Sequence, residues 1–436
     1  MAENEVALLR HLFDTAIAAS QPEVCLPPAL PEPPKGRTVV VGAGKASAAM
    51  AAALEDHWPG PAEKLSGLVV TRYGFGRPTK RIEVVEASHP VPDAAGIKAA
   101  QRILEAVSGL GKDDLVIVLI SGGGSALLTL PAPGITLADK QAVTDALLRS
   151  GADIGEINTV RKQLSAIKGG RLAEAAYPAH VTTLAISDVV GDDPSVIASG
   201  PTVDDWSTPA HAQAVLAKYA IEPPEAVRAH LTAADEKPRG PGSPKSGNLG
   251  LGGADYRIIA SGPTAIAAAK AEAQRRVDYP VYVIDDAATG EAREVALEHA
   301  AFAHRACSEI PSGPVLFLSG GELTVTIKGD GRGGPNSEYL LSLARVWLEA
   351  PEPLDTLTAL ACDTDGIDGS GDNAGALLTP DMLARAAAQG LDAQANLDNN
   401  DAYGIFETLD GLVVTGPSGT NVNDFRALLL RGPPRR

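Results

Sequence analysis

The sequence predicts an α/β protein of two three-layer α/β/α domains with mostly parallel sheets, the first of them Rossmann-like. Three observations carry this expectation. Short β-rich runs recur between long alanine-rich runs of helical character, the alternation of a mostly parallel sheet with helices on both faces. Only 4% of residues are aromatic in a chain that is 44% hydrophobic, so its cores are filled by Ala, Val, Leu and Ile. The 436 residues also exceed the roughly 100–200 expected of one domain.

Taken in order, strands are expected at Thr38 to Val41, Gly67 to Val70, Leu115 to Ile120, Val181 to Ile186, Arg257 to Ala260, Val281 to Ile284, Val315 to Leu318, Leu323 to Ile327, Leu357 to Ala361 and Leu412 to Val414. Most run into Gly, Ser or Asp, and in open α/β sheets ligands sit at the carboxyl ends of strands. The N-terminal run MAENEVALLRHLFDTAIAAS carries Glu3 and Glu5 where a secretory signal carries Lys or Arg, and reads as an amphipathic helix. Lys237 to Gly253, KPRGPGSPKSGNLGLGG, is too rich in Gly, Pro and Ser to form a core. It divides the chain into domains at 1–236 and 254–436, with 237–253 as linker or loop. Two alternatives stay open: a surface loop inside one domain, and a first helix packed on the C-terminal half, making one domain discontinuous.

Net charge is −17, from 37 basic and 54 acidic residues, a field that repels nucleic acid and anionic membranes. No apolar stretch approaches the roughly 20 residues a bilayer requires. Three widely spaced cysteines without a CxxC pair, and eight histidines without HExxH, disfavour a zinc site and fit a reducing cytoplasm. A cytoplasmic monomer or homodimer is expected, with a small-molecule partner and neither nucleic acid nor membrane. Any anionic ligand must be held locally.

Six segments carry candidate chemistry. In VVVGAGKASAAM, a strand runs through Gly42 and Gly44 into a helix beginning near Lys45, which reads as a phosphate or carboxylate site at a helix N-terminus. The spacing is not a Walker A loop. In LVIVLISGGGSALL, Gly122, Gly123 and Gly124 suggest close backbone approach to a nucleotide phosphate, flanked by the hydroxyls of Ser121 and Ser125. NTVRKQLSAIKGGRLAEAA reads as a helical run, with Arg161, Ser165 and Lys168 on one face at i, i+4 and i+7, while Gly169-Gly170 within it suggests a close approach or a break. That face is either a binding surface or a solvated edge. Asp188, after a strand in LAISDVVGDDP, suits a magnesium ion or a general base. Gly329, Gly331 and Gly334 match the dinucleotide pattern G-x-G-x-x-G, with Arg332 inside the loop and Asn336 and Glu338 at the following helix start. In ALACDTDGIDGSGDNAGAL, the carboxylates Asp363, Asp365, Asp368 and Asp372 suit magnesium or hydroxyl binding, or simply a polar turn.

The order of these segments, together with GEAREVA at Gly290 to Ala296 and GTNVNDF at Gly419 to Phe425, closely resembles the class II glycerate kinases over nearly the whole chain. That family has an N-terminal glycerate kinase region and a C-terminal MOFRL region. The resemblance implies phosphorylation of D-glycerate to 2-phosphoglycerate by ATP with Mg2+, in a cleft between two α/β domains. It implies Lys45 as an active-site lysine with an arginine of the glycine-rich loop, here Arg332, as its partner, and the residue chemistry adds Asp188 as base or metal ligand with Asp363 as a second metal carboxylate. Gly42, Gly44 and Ser121 to Ser125 would hold the nucleotide, and Arg161, Lys168, Asn336, Glu338 and Asp365 the substrate. The family commonly reads GGRNQE where this chain has Pro335 and Ser337 in the Arg and Gln places, so Arg332 is the only arginine in that loop. Some members carry a hydroxypyruvate reductase name, which keeps an NAD(P)H-dependent reductase as the alternative.

Overall fold

The computed structural model describes residues 2–236, 255–309, 313–349 and 356–431. The segment expected to divide the domains, 237–253, lies outside them. The chain forms two compact units, Pro22–Ile259, and Met1–Gln21 together with Ala260–Arg436. The first helix, Ala2–Ala19, is thus counted with the C-terminal unit, and the unit boundary falls between Ile259 and Ala260, at the end of the strand Asp255–Ala260. The reason lies in the helix's apolar stripe: Leu9, Leu12, Phe13 and Ala16 are buried, and the helix packs on the helix Gly262–Arg276.

The first unit is built on six strands: β1 (Thr38–Ala43), β2 (Leu65–Arg72), β3 (Ile82–Ala87), β4 (Leu115–Ile120), β5 (His180–Ile186) and β6 (Asp255–Ala260). Their order is β3-β2-β1-β4-β5-β6, and every pair from β3 to β5 is parallel. The chain lays β2 and β3 to one side of β1, then crosses to its other edge for β4. The gap between the ends of β1 and β4 is therefore the topological switch point, where open α/β sheets bind ligands. β1 and β4 are buried along their whole length, consistent with central strands. A satellite of four helices, Leu137–Arg149, Ile154–Gln163, Pro209–Lys218 and Glu225–Glu236, packs around Val143, Leu147, Ile157, Val160, Leu216 and Leu231.

The second unit carries β7 (Val281–Glu291), β8 (Pro314–Thr324), β9 (Thr356–Asp363), β10 (Gly375–Leu378), β11 (Leu412–Val413) and β12 (Asp424–Arg431), in the order β11-β10-β9-β12-β8-β7. The two-unit α/β fold is as expected, but pairing here is mixed. β7 and β8 are parallel, while β12 inserts antiparallel between β8 and β9, and β10 is antiparallel to both β9 and β11. β10 follows β9 through a short loop without a crossover helix, which permits only antiparallel return.

Two local expectations are corrected. The strands foreseen at Val315 to Leu318 and Leu323 to Ile327 are one strand, β8, which ends at Thr324 and leaves Ile327 exposed. The run Asn158 to Ala176 is not one helix. It stops at Gln163 and restarts at Arg171, with a break at Gly169 and Gly170, which adopt left-handed backbone and donate their N–H groups to Ser199 O and Gly200 O.

Candidate active site

At the switch point the β1 and β4 loops are stitched together by backbone. Lys45 N donates to Gly122 O at 2.7 Å, and Ala46 N donates to Ser121 Oγ at 3.0 Å. Gly42 and Gly44, expected to face a phosphate, have a packing reason instead. A Cβ on Gly42 would lie 2.1 Å from Leu119 O, and one on Gly44 would lie 2.1 Å from Ser121 Oγ. Gly122 and Gly123 are different, because what approaches them is chemistry-bearing. A Cβ on Gly122 would meet Asp188 Oδ2 at 2.2 Å, and one on Gly123 would meet His89 Nε2 at 2.8 Å and Lys45 Cγ at 3.5 Å. Lys45, Asp188 and His89 thus converge on one turn, whose Gly123 has a φ of +78°. His89 is pushed down to about 4 by its burial and by the charges of Lys45 and Arg72, so its imidazole is neutral at neutral pH.

Beside this turn lies a cavity of about 380 Å³ lined by the His89–Pro92 loop, Gly123, Ser125, the helix Leu137–Arg149, Arg161 and Lys168. Arg161 and Lys168 do meet here, as their pairing in sequence suggested, although the broken helix brings them together and not a shared helical face. Lys168 is 1% exposed and donates to Ser125 O at 2.9 Å and Ala198 O at 3.2 Å. Its ammonium is driven well below the usual lysine range by burial and by the neighbouring charges of Lys140 and Arg161. Lys140, which sequence reasoning did not single out, is pushed down to about 7 by burial and by Arg161. The signal was present: Lys140 stands at i of an i, i+3, i+7 stripe whose other members, Val143 and Leu147, are core residues. His89 was missed with its strand, because β3 had not been foreseen.

Ser125 Oγ meets Ser199 Oγ at 2.9 Å. Ala198, Ser199 and Gly200 are three consecutive left-handed residues, a conformation that is costly for the first two and persists where the surroundings over-determine it. Asp192 and Asp193 act as turn formers, with Asp193 Oδ1 accepting from Ser195 N at 2.8 Å.

In the second unit the loop after β8 holds Arg332 exposed, its guanidinium 3.9 Å over the Tyr403 ring. The dinucleotide-like glycines approach this chain's own atoms. A Cβ on Gly329 would lie 2.4 Å from Asn399 O, one on Gly331 would lie 2.5 Å from Asp401 Cβ, and one on Gly334 would lie 2.4 Å from Asp368. Asn336 and Glu338, expected at the substrate, are buried and engaged within the unit. Asn336 Nδ2 donates to Asp424 Oδ1 at 2.6 Å, while Glu338 accepts from Arg293 Nε at 2.6 Å and Asn400 Nδ2 at 3.1 Å. Asp368 receives the N–H groups of Asn336 and Ser337 at the start of the helix Pro335–Leu348, and burial pushes its carboxyl up to about 6. Asp363 accepts from Asp365 N at 2.8 Å, and Asp365 accepts from Ile367 N at 2.9 Å. Burial, then Asp365 and Asp424, hold the Asp363 carboxyl well above the usual range. Among the described residues no group of three or more His, Cys, Asp or Glu is arranged to hold a metal ion.

A doubly wound sheet whose switch point gathers a lysine, a carboxylate and a cation-lined cavity defines an α/β enzyme acting on an anionic small molecule. Similarity to known proteins narrows the kind. Residues 8–232 match a domain of unknown function (DUF4147), and residues 315–424 match the MOFRL family. A D-glycerate 2-kinase from Thermotoga maritima is 38% identical over 95% of this chain and 95% of its own length. The crystal structure of a glycerate kinase from Thermotoga maritima superposes with a TM-score of 0.87 at 36% identity, covering 98% of this chain and all of the other. A protein of Agrobacterium vitis named putative hydroxypyruvate reductase is 51% identical over 99% of this chain and 96% of its own. The chain belongs to the class II glycerate kinases, the family built from these two regions.

Proposed function

We propose that the chain transfers the γ-phosphoryl group of ATP to the 2-hydroxyl of D-glycerate, giving 2-phosphoglycerate and ADP. The observation that carries this reading is the convergence of Lys45, Asp188 and His89 on the Gly122–Gly123 turn at the switch point of the first sheet. Phosphoryl transfer asks mainly for positioning and for neutralisation of charge on the transferring group. Asp188 accepts the proton of the attacking hydroxyl as its oxygen bonds to phosphorus and the bond to ADP breaks. Lys45 offsets charge on the phosphoryl oxygens, and the backbone of Gly122 to Ser125 lies against the nucleotide. Neutral His89 is a hydrogen-bonding group on the same turn. In the second unit Arg332 is a further candidate phosphate-binding cation, its planar donor fork ordered by the Tyr403 face beneath it. Arg161 and Lys168 are proposed to bind the substrate.

Magnesium typically takes one or two carboxylates and completes its shell with phosphates and water, a demand that a few carboxylates can meet without an all-protein cage. Asp188 fits as such a carboxylate. Within the second unit, Asp363 is a separate carboxylate whose repulsion by Asp365 and Asp424 a cation would relieve. When bound, such an ion would supply neutralisation of charge on the nucleotide phosphates.

The reductase alternative drew on the glycines at 329, 331 and 334, and their close contacts with Asn399, Asp401 and Asp368 favour the kinase. No helix of the described residues is long and apolar enough to cross a membrane. The test is phosphorus NMR of a reaction with ATP, Mg2+ and D-glycerate, which separates 2-phosphoglycerate from 3-phosphoglycerate. Formation of 2-phosphoglycerate is expected. Consumption of NADH with hydroxypyruvate, without any glycerate-dependent ADP, would overturn the reading.

A further inference from the structure

The cavity beside the Gly123–Ser125 turn carries positive charge that the first unit does not balance. Lys140, Arg161 and Lys168 line it, and among the described residues the only carboxylate in its wall is Asp145. Lys140 is 7% exposed, and its Nζ has no hydrogen-bond partner. Lys168 gives two of its three N–H donors to carbonyls. His89, the remaining titratable group of the wall, is neutral and contributes no compensating charge. Burying an unpaired ammonium is unfavourable, so a fold that holds Lys140 there gains from a partner arriving from outside. That partner is an anion.

We propose that this cavity seats the carboxylate of the hydroxy acid, that Lys140 is the residue selecting an acid over an uncharged polyol, and that 2-hydroxy acids longer than glycerate are also accepted. The proposal rests on the kinase reading and names the substrate class of that site. Phosphorylation at carbon 2 builds a phosphate on the atom next to the carboxylate carbon, so two anionic groups sit side by side in the product. One guanidinium and two lysine amines offer that paired anionic charge more N–H donors than a single basic group would. The cavity of about 380 Å³ is larger than a three-carbon acid requires, and part of its wall is apolar, including Pro90, Leu137 and Leu148. Selection is therefore by charge and not by length.

The test combines calorimetric titration of D-glycerate, glycerol and ADP with steady-state kinetics on D-glycerate and on erythronate, a four-carbon relative. It uses the full chain as wild type, K140M and K140Q, two neutral side chains of similar length. In both variants Kd and KM for D-glycerate are expected to rise on the order of tenfold or more, the worth of a hydrogen bond to a charged group. ADP affinity stays unchanged, wild type phosphorylates erythronate and not glycerol, and both variants melt at or above the wild-type temperature. Unchanged glycerate affinity in both variants, or loss of ADP affinity in place of glycerate affinity, would overturn the carboxylate seat. Rejection of erythronate would overturn the wider substrate class. If wild type transfers no phosphoryl group to any acid, the kinase reading falls. Glycerate binding that is lost in K140M would even then uphold the seat.

Discussion

Lys45 is held in place through its backbone, with its N–H on Gly122 O and its carbonyl accepting from Thr71 Oγ1 at 3.1 Å. Lys45→Ala is therefore expected to lower kcat by roughly 10²–10³, the cost of losing one charge-stabilising group, with little change in melting temperature. Glycerate-dependent ADP release measures it, and full turnover would remove Lys45 from the chemistry. Gly122→Ala tests Asp188 from the other side. The added methyl would sit 2.2 Å from Asp188 Oδ2, so the carboxylate must leave its position, and turnover is expected to fall while the variant still binds glycerate. Lys140 yields a prediction with a pH signature. Its ammonium titrates near 7 in the folded chain and near the ordinary 10.5 when unfolded. Below pH 7 both states hold the proton and the burial penalty is complete; above it the folded state loses the proton first and the penalty is progressively relieved. K140M lacks this titration, so its stability gain over wild type, about 1–4 kcal/mol, is expected to be largest below pH 7 and to shrink toward pH 9 in denaturant melts. At this scale Lys45 was legible as a charge beside glycine at a strand end, Asp188 as a carboxylate just after a strand, and Arg161 and Lys168 through helical spacing. Lys140 carried only its place on the Val143–Leu147 stripe as a signal and His89 none, because what they do comes from what the fold packs around them.

Among the elements, the segment between the helices Ile154–Gln163 and Arg171–Ala176 sets the shape of the cavity. Helical spacing alone put Arg161 and Lys168 on one face, and propensity gave no reason to stop at Gln163. The structure stops there because Ala166 N donates to Leu130 O and Leu164 O accepts from Ala132 N, tertiary contacts that no local pattern encodes, while the break at Gly169-Gly170, where Ser199 O and Gly200 O accept their N–H groups, was suggested by the glycine pair itself. Gly170 has a φ of +78°, which an L side chain adopts only with strain. Gly170→Ala is expected to destabilise the protein by about 1 kcal/mol or more and to raise KM for glycerate, through displacement of Lys168. Equilibrium unfolding together with kinetics checks it; unchanged KM would detach this turn from the site. Strands followed the same logic. β1, β4 and β5 were readable as apolar runs ending in Gly, Ser or Asp. β3, an edge strand reading IEVVEA, was obscured by its glutamates, and β12 by the Arg426 that it buries beside Asp424 in the sheet interior. The second sheet's mixed pairing was likewise out of reach, since its central strand β12 comes from the end of the chain.

For the molecule as a whole, chain order and compact units do not coincide. The first helix contributes to the unit formed by Ala260–Arg436, while the intervening Pro22–Ile259 forms a unit of its own. An amphipathic first helix was legible in sequence; which core it completes was not, because a helical stripe specifies an apolar partner without identifying it. The structure identifies it through Phe13, 1% exposed and 5.8 Å from the Phe425 ring, and through Glu5, which accepts from the Thr358 hydroxyl at 2.8 Å. Phe425 belongs to β12 and Thr358 to β9, so the helix anchors the two central strands of the second sheet. Phe13→Ala should cost about 3–5 kcal/mol, the usual penalty for emptying an aromatic site in a core. Because the lost contacts all belong to one unit, the loss should be local. Amide hydrogen exchange is expected to quicken in β9, β12 and the helix Gly262–Arg276, and to stay at wild-type rates in β1, β4 and β5. The Lys45, Asp188 and Lys140 side chains lie in the unaffected unit, so calorimetric affinity for glycerate should survive while the variant's melting temperature falls. Exchange that quickens first in β1 and β4 would show that the helix supports the other unit.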